Sequence, residues 1–357
     1  MVQSSAVSGP IEHGGAIDAA VARYGIPRGR WLDLSTGINP NPYPLPDVPA
    51  ETWTRLPDEA IDASLRQAAA SRYGVADPAC VVAAPGSQAL IQWLPRLRAP
   101  SRVAVLGPTY GEHAACWSAA GHRVTEIAAS EPPEGDVDVD VVVAVNPNNP
   151  DGRVIGPARL LALLDRLDRD GGLLVVDEAF ADAVPDVSVA PRAGRRGLVV
   201  LRSFGKFHGL AGLRLGFALA SRDMAGHLGR ALGPWAVGGP AAAIGAAALA
   251  DASWAGETRA RLAADAGRLD DLLRGSGLTV TGGTPLFRLA VDEAAQDLFE
   301  HLARAGILVR RFSGEATWLR FGIPGGAAEF ERLGATLAEW TVGAAGQRRV
   351  GLQTPCA

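Results

Sequence analysis

The 357-residue chain predicts an α/β fold with a large, mainly parallel sheet that carries helices on both faces. From about residue 60, apolar segments of strand length alternate with segments of helical length, which is typical of such sheets. Glycines and prolines cluster between Gly233 and Pro240 and mark a change of rhythm. Helices and strands then alternate over a shorter stretch, which predicts a second, smaller α+β domain.

The strand segments of the large domain are apolar throughout, and its helices have recognisable ends. Gly74 ends the first helix and Pro157 begins the third. The predicted strands are 102–106, 123–127, 139–145, 173–176, 198–201 and 213–219, and the predicted helices are 59–73, 111–120 and 157–170. The smaller domain is expected to have helices at 241–249, 255–274, 294–305 and 327–340, with strands near Leu278, Phe287, Ile307 and Leu319.

Four segments follow from this pattern. Residues 1–58 are rich in proline and turns, and we expect them to form an N-terminal arm that contributes to the small domain and to the site. Residues 59–235 are expected to form the large domain and residues 236–340 the small α+β domain. Residues 341–357 have no apolar period and are expected to be a frayed tail.

The composition favours a small-molecule partner. A formal net charge of −4 is spread along the chain without a basic stripe, which argues against nucleic-acid and membrane-surface partners. Three dispersed cysteines predict neither a disulfide framework nor a cysteine zinc site, so a cytoplasmic location is expected. The first 15 residues lack the features of a secretory signal. Glycines and prolines interrupt the uncharged segment 231–250, which therefore predicts a loop and a buried helix.

The basic residues are almost all arginines: Lys206 is the one lysine among the 34 lysines and arginines. Arginine can replace lysine in a surface ion pair, but its guanidinium keeps its proton and does not form imines. A lysine amine does so once burial or a neighbouring charge lowers its pKa. Lys206 is therefore a candidate reactive amine. Composition by itself is equally compatible with a surface lysine that was retained by chance.

The surroundings of Lys206 favour the reactive amine. The segment 198–202 reads as a short buried strand, and Lys206 lies on the turn after it, at the sheet edge where ligands bind in α/β folds. Ser203 and Arg214 flank the lysine and offer a hydroxyl and a guanidinium to a phosphate group. A purely structural ion pair of Arg214 is the alternative.

Asp177 stands at the end of the apolar strand segment 173–176, where a buried, unpaired carboxylate would be costly. The pyridinium nitrogen of pyridoxal 5′-phosphate (PLP) is a suitable cationic partner, because a carboxylate there keeps the ring an electron sink. A capping or loop aspartate is the alternative. Its neighbour Glu178 is predicted to be structural.

Three further turns follow strand segments. In the asparagine-rich turn 146–152, the amide of Asn149 is placed to donate to the ring oxygen of PLP. The turn 84–90 opens a helix with Gly86, Ser87 and Gln88, whose backbone N–H groups suit a phosphate. Tyr110 ends the turn after the strand 102–106 and could stack on the pyridine ring, although tyrosines in such places often only pack.

In combination, these features resemble the fold type I PLP enzymes of the class I/II aminotransferase superfamily. The resemblance covers about residues 30–340, and its most specific motifs are NPNNPDG, VVDEAF and SFGKFHGLAGLRLGF. It implies that Lys206 carries PLP as a Schiff base and that Asp177 pairs with the pyridine nitrogen. The other cofactor contacts that it implies come from Gly86, Ser87, Gln88, Tyr110, Asn149, Phe180, Ser203 and Arg214.

Two positions depart from the superfamily pattern. Phe180 stands where a tyrosine usually donates to the ring oxygen, so that hydrogen bond is missing. Leu56 stands where a tyrosine commonly reaches the phosphate of a partner subunit, which puts that intersubunit contact in doubt. A homodimer is nevertheless expected, because the active sites of fold type I enzymes usually form between subunits.

The N-terminal segment narrows the resemblance to a subfamily. The motif EHGG from Glu12 and the motif WLDLSTGINP from Trp31 resemble the opening of the threonine-phosphate decarboxylases of cobalamin biosynthesis. This implies the conversion of L-threonine O-3-phosphate to (R)-1-amino-2-propanol O-2-phosphate. Arg320 matches the arginine that binds the substrate carboxylate, and Arg310 or Arg311 would bind its phosphate. The implied substrate-binding set is His13, Gly14, Gly37, Asn149, Arg310, Arg311 and Arg320.

Two other functions remain open at this stage. A histidinol-phosphate-type aminotransferase would use the same cofactor and much of the same site. A PLP-fold protein that binds without catalysis is a third reading, against which the intact set of Lys206, Asp177 and Arg320 argues. Lys206 is expected to return a proton to Cα after decarboxylation, instead of removing one as in transamination.

Overall fold

The computed structural model describes residues 13–128, 139–169 and 171–351. The helices are α1 (Ile17–Tyr24), α2 (Glu51–Thr54), α3 (Glu59–Tyr73), α4 (Ser87–Trp93), α5 (Glu112–Ala119), α6 (Pro157–Arg169), α7 (Phe204–Phe207), α8 (Arg222–Leu232), α9 (Gly239–Ala250), α10 (Ala252–Gly275), α11 (Ala295–Arg304) and α12 (Ala327–Gly351). The strands are β1 (Leu32–Leu34), β2 (Val81–Ala84), β3 (Arg102–Gly107), β4 (Arg123–Ala128), β5 (Val141–Val145), β6 (Leu173–Asp177), β7 (Leu198–Ser203), β8 (Gly216–Ala220), β9 (Thr279–Thr284), β10 (Phe287–Val291), β11 (Ile307–Phe312) and β12 (Glu315–Gly322).

The larger of two compact units contains residues 42–259 and a seven-stranded sheet in the order β2-β8-β7-β6-β5-β3-β4. Strands β3 to β7 are parallel, whereas β8 runs antiparallel to both β7 and β2. Apart from the exposed edge strand β4, the strands are buried because α3, α6 and α9 cover one face and α4, α5 and α8 the other. The predicted α/β fold with a mainly parallel sheet is confirmed.

The described part of the smaller unit, residues 13–41 and 260–351, contains a five-stranded sheet in the order β1-β11-β12-β10-β9. Strand β1 joins β11 in parallel, and the other pairings are antiparallel. Apolar residues of α1, α10, α11 and α12 pack against this sheet. The N-terminal segment therefore supplies both a strand and a helix to this unit.

Several predicted boundaries were wrong. The four-residue strand β2 was missed because its apolar run is too short to stand out before the turn at Gly86. Strand β8 begins at Gly216 and not at Leu213, since a 3-10 turn and the left-handed Arg214 (φ 54°) precede it. The tail was expected to fray, but α12 continues to Gly351, because no proline stands between Thr341 and Gly351 to stop it. Residues 352–357 lie outside the described residues.

The boundary between the units also differs from the expected position at 235/236, since the larger unit extends to Arg259. Helix α9 belongs to the larger unit because it packs closely against α3. A Cβ atom at Gly245 of α9 would lie 3.1 Å from Cδ1 of Leu65 in α3. This helix accounts for most of the uncharged segment 231–250, and no helix among the described residues is long and apolar enough to cross a membrane.

Gly216 at the start of β8 offers a test of this packing. A Cβ atom there would overlap the backbone nitrogen of Ser87 and would lie 2.7 Å from the carbonyl carbon of Gly86. Because backbone must move to admit it, we expect Gly216→Ala to lower the free energy of unfolding by about 1–3 kcal/mol. Gly212→Ala is the matched control, because nothing lies within 4 Å of a Cβ atom at that position. Equal stabilities of the two variants in urea denaturation would contradict the packing.

Candidate active site

Groups suited to a phosphate converge where α4 begins. Gly86 has a positive φ of 84°, and a Cβ atom there would lie 2.7 Å from Nη2 of Arg214. The hydroxyls of Ser87 and Ser203 are 2.6 Å apart, which joins the start of α4 to the end of β7. Arg214 itself adopts the left-handed conformation that non-glycine residues avoid, and it donates from Nη1 to the carbonyl of Ala211 at 3.1 Å. The strained backbone conformation of Arg214 therefore holds its guanidinium beside Gly86.

Gln88, expected among the phosphate ligands, uses its side chain to hold Tyr110. Its Oε1 accepts from the Tyr110 hydroxyl at 3.2 Å, and its Nε2 donates to Glu112 at 2.8 Å. Burial, together with Glu112, raises the pKa of Tyr110, so the phenol stays protonated. The aromatic ring thus has a fixed orientation before any ligand binds.

Asp177 is buried at the end of β6, as predicted, and its side-chain partner within the chain is a residue that the sequence did not reveal. Nε2 of His113 lies 2.8 Å from Oδ2 of Asp177, and both side chains are at most 4% exposed. Oδ1 of Asp177 accepts from the backbone N–H of Ala179 at 3.1 Å. A carboxylate has about four lone-pair sites, so both oxygens retain capacity for a further donor. The one signal for His113 is its position three residues after Tyr110, and the two rings meet edge to face.

Lys206 lies on α7, a single helical turn that begins directly after β7. The expected turn is therefore a short helix, and the lysine is half-buried there. Its Nζ lies 5.8 Å from the ring centroid of Phe180. Phe180 thus presents the apolar face of its ring to the lysine. The superfamily pattern has a tyrosine at this position.

The asparagine-rich turn uses two of its amides to build itself. Asn146 donates to the carbonyls of Ile155 and Val187 and accepts from the N–H of Ile155. Asn148 donates to the carbonyl of Pro108 at 2.9 Å and accepts from the hydroxyl of Thr109. Asn149 lies half-buried next to them. The turn is thereby joined to the loop that carries Tyr110.

In the smaller unit, Arg310 and Arg320 lie opposite each other on the antiparallel pair β11 and β12 and so share a face of the sheet. Nη2 of Arg320 donates to the carbonyl of Ser35 at 2.8 Å. Burial and the nearby Arg310 lower the pKa of Arg320 to about 9, partly offset by Asp33, so its guanidinium remains charged at neutral pH. This face therefore concentrates positive charge.

Arg311 belongs to the opposite face, because side chains alternate along a strand. Its guanidinium lies over the ring of Phe299 in α11, 4.9 Å from the centroid. A cavity of about 290 Å³ lies at this end of the unit, and its lining includes His13, Arg310 and Arg311. The two neighbouring arginines therefore reach this cavity from different faces of β11.

The glycines before α1 are needed for close approach to β1. A Cβ atom at Gly14 would overlap the carbonyl oxygen of Ser35, and the N–H of Gly15 donates to the Ser35 hydroxyl at 2.7 Å. His13 precedes them and is exposed at the cavity, and Gly37 is buried after β1. Ser35 thus links the HGG motif to Arg320.

The residues of the larger unit fit PLP by their chemistry. Gly86 is a position where an added Cβ would intrude on Arg214, and Ser87 and Ser203 add hydroxyl donors for a phosphate. A buried carboxylate, Asp177, and a primary amine, Lys206, end adjacent strands of the same sheet. These are the groups that an anionic phosphate, a pyridinium nitrogen and an aldehyde require.

Fold and site together define a cofactor-dependent enzyme of the aminotransferase type. A family model described as aminotransferase class I and II matches residues 45–333. The chain belongs to this family.

Individual known proteins extend the comparison. A threonine-phosphate decarboxylase from Pseudomonas aeruginosa is 49% identical over 92% of this chain and 97% of its own length. A threonine-phosphate decarboxylase from Sinorhizobium sp is 47% identical over 93% of this chain and 99% of its own length. The crystal structure of histidinol-phosphate aminotransferase from Sinorhizobium meliloti with pyridoxal-5′-phosphate gives a TM-score of 0.78 over 96% of this chain and 99% of that one. At 20% identity, that likeness shows the fold.

The pair of His113 and Asp177 can be tested without cofactor. We expect His113→Phe and Asp177→Asn each to lower the free energy of unfolding by about 1–3 kcal/mol, because each leaves a buried polar group without its partner. Since the two side chains touch, the double variant should deviate from additivity by about 0.5–3 kcal/mol.

The exposed pair of His227 and Asp223 in α8, 3.6 Å apart, is the matched control and should give a coupling of at most about 0.5 kcal/mol. Additive effects at His113 and Asp177 in urea denaturation would show that the two side chains do not interact.

Proposed function

We propose that this chain is a PLP-dependent carboxy-lyase that converts L-threonine O-3-phosphate to (R)-1-amino-2-propanol O-2-phosphate and CO2. The observation that carries the proposal is a set of groups suited to PLP around Lys206 in a chain 49% identical, over nearly its whole length, to a protein named threonine-phosphate decarboxylase. The HGG motif at the N-terminus supports the same reaction. The product would serve cobalamin biosynthesis, as the sequence resemblance implies.

PLP is held by the larger unit in this proposal. Lys206 attaches it covalently, and Asp177, oriented by His113, pairs with its ring nitrogen. Arg214, Ser87 and Ser203 bind its phosphate. When bound, the cofactor supplies an electron sink for the pair left on Cα after the bond to the carboxylate breaks.

The chain's own groups manage charge and protons. Asp177 keeps the ring nitrogen protonated, and His113 limits the cost of burying that carboxylate. The free amine of Lys206 would hold a proton and deliver it to Cα. The bond that breaks joins Cα to the carboxylate carbon, and one proton replaces the released CO2 at Cα. The Cα–H bond of the substrate is therefore kept throughout.

Arg320 and Arg310 each bind one of the two anionic ends of the substrate. Arg320 takes the α-carboxylate and Arg310, with His13, takes the phosphate. Arg310 is favoured over Arg311 because it shares the sheet face of Arg320, whereas Arg311 lies over Phe299. A grip on the phosphate would give the substrate a second anchor, which would orient the carboxylate for its loss as CO2.

The proposal includes a homodimer in the cytoplasm. Four large apolar side chains of the larger unit are exposed by 59–68%, which favours a covering partner: Leu45, Trp53, Leu56 and Trp235. Leu56 holds the position of the usual intersubunit tyrosine, so an apolar contact would replace a phosphate contact. The dispersed cysteines agree with a reducing compartment.

Attachment of PLP to Lys206 has a direct spectroscopic test. Wild-type protein with PLP should show a visible absorbance that borohydride reduces, fixing one cofactor per chain on the peptide that contains Lys206. Lys206→Ala should bind PLP without forming a reducible chromophore, because the chain has no other lysine. A covalent adduct on the Lys206→Ala chain, detected by mass spectrometry, would contradict the assignment.

The reaction type is decided by product analysis. Incubation with L-threonine O-3-phosphate should release CO2 and the amino-propanol phosphate in equal amounts, without a 2-oxo acid acceptor. Histidinol phosphate with 2-oxoglutarate serves as the parallel assay for the alternative, a histidinol-phosphate-type aminotransferase. Glutamate formation without CO2 release would overturn the proposed function.

The two neighbouring arginines give a matched pair of variants. Arg310→Met should lower kcat/KM for the phosphorylated substrate by about 10–100-fold, mainly through KM, because a charge-assisted contact is lost. Arg311→Met should change it less than about threefold, because that guanidinium lies over Phe299. The reverse order in steady-state kinetics would assign the phosphate to Arg311.

A further inference from the structure

A second group of polar side chains lies behind the strand ends, on the sheet face that packs against α3. Arg202 of β7 donates from Nη1 to Glu178 at 2.6 Å and from Nη2 to Asp182 at 2.7 Å. All three side chains are at most 3% exposed. The guanidinium of Arg202 also lies 4.3 Å from the ring centroid of Tyr73 in α3. This ionic cluster is separate from Asp177, which faces the other side of the sheet.

Hydrogen bonding within this cluster is incomplete. Five buried atoms here have no hydrogen-bond partner in the described part of the chain: the hydroxyl oxygen of Tyr73, and four atoms on the charged residues and the histidine, namely Nη2 of Arg72, Oδ2 of Asp182, Nε of Arg202 and Nε2 of His208. They belong to one neighbourhood, because Arg202, His208 and Arg72 all act electrostatically on Asp182. Buried polar atoms are seldom left without partners, and four together call for a shared one.

The protonation of His208 defines what that partner must offer. Nδ1 of His208 lies 3.1 Å from the carbonyl oxygen of Phe204, so Nδ1 carries the hydrogen and Nε2 is an acceptor. Burial lowers the pKa of His208 to about 4, which keeps the ring neutral at pH 7. The four atoms are thus two donors, on Arg72 and Arg202, and two acceptors, on Asp182 and His208.

The mixture of hydrogen-bond donors and acceptors in the cluster determines which chemical class of ligand fits it. An anion would be repelled by the carboxylates of Asp182 and Glu178, and a metal cation by the guanidinium groups of Arg72 and Arg202. Water donates two hydrogen bonds and accepts two, and internal waters typically have two to four polar partners. Water can therefore satisfy both the donors and the acceptors of this cluster.

We propose that this cluster is an internal water-binding site, in which one or two ordered water molecules bridge Asp182 and His208 to Arg72 and Arg202. The site bears on Lys206 through His208, which directly follows α7. The imidazole stacks on Phe204, with centroids 4.0 Å apart and planes at 8°, and on Trp254 at 5.5 Å and 11°. Water bound at Nε2 therefore fixes the ring that supports the helix carrying Lys206, and His208 acts as a positioning residue.

A crystal structure of the holoenzyme at about 1.5 Å resolution tests the site directly. The expected result is a well-ordered water within hydrogen-bond distance of both Oδ2 of Asp182 and Nε2 of His208, with at least one guanidinium as a third partner. A direct contact between Asp182 and His208, or a dry cluster, would overturn the proposal. Crystals soaked in bromide separate the classes: an anomalous peak at this position would show an anion site instead.

Two variants separate the water from the stacking. His208→Gln keeps a polar atom near the place of Nε2, whereas His208→Phe keeps an aromatic ring between Phe204 and Trp254 but no acceptor. We expect the water in the His208→Gln crystal and its loss in His208→Phe. The loss should lower the Tm of the holoenzyme by about 2–4 °C and shift the pH at which the chromophore on Lys206 titrates.

Retention of the bridging water in His208→Phe, with unchanged Tm and titration, would contradict the role of His208. If His208→Phe does not fold, the wild-type and His208→Gln crystals still decide the presence and partners of the water.

Discussion

The parallel register of β5, β6 and β7 is the constraint on which the site depends. Val145 pairs with Asp177, and Asp177 pairs with Leu201, so the three strands end at the same edge of the sheet, with β7 running two residues further to Ser203. The backbone N–H of Asn146 continues this ladder by donating to the carbonyl of Asp177 at 2.8 Å. Because the strands end together, the asparagine turn, the carboxylate and the helix carrying the lysine emerge side by side.

Alternation along these strands assigns opposite tasks to neighbouring residues. Asp177 points to the face of α5, where His113 meets it, whereas Glu178 points to the other face and pairs with Arg202. The sheet thus separates the carboxylate that meets His113 from a structural ion cluster only one residue away. A slip of one residue in register would exchange them, so the register of β6 is needed for the chemistry.

Residues that follow a strand within a recognisable motif could be located from sequence. Lys206, Asp177 and Arg214 belong to this group, and the structure has Lys206 near Phe180, Asp177 beside His113 and Arg214 beside Gly86. Helices α3, α5 and α6 were also predicted well, α3 and α6 because they end at a glycine and begin at a proline, respectively, whereas α8 was not predicted. Short strands were not: β1 and β2 have three and four residues, too few for a periodic signal.

Roles that depend on tertiary contacts stayed out of reach of the sequence. A lone histidine in an apolar stretch reads as core, and only packing reveals that His113 meets Asp177 and that His208 stacks behind Lys206. Alternation alone implies that Arg310 and Arg311 face opposite ways. The pairing of β11 with β12 was needed to learn which of them joins Arg320. Tertiary partners, and not residue types, carried this information.

The fate of the Cα hydrogen tests the central claim most directly, because decarboxylation keeps the Cα–H bond that transamination breaks. L-Threonine O-3-phosphate turned over in D2O should give amino-propanol phosphate with one deuterium and the original hydrogen on C1, while the remaining substrate stays free of deuterium. Nuclear magnetic resonance and mass spectrometry of product and substrate measure both. Exchange of the Cα hydrogen in the remaining substrate, or two deuterium atoms on C1, would contradict a reaction in which Lys206 only returns a proton.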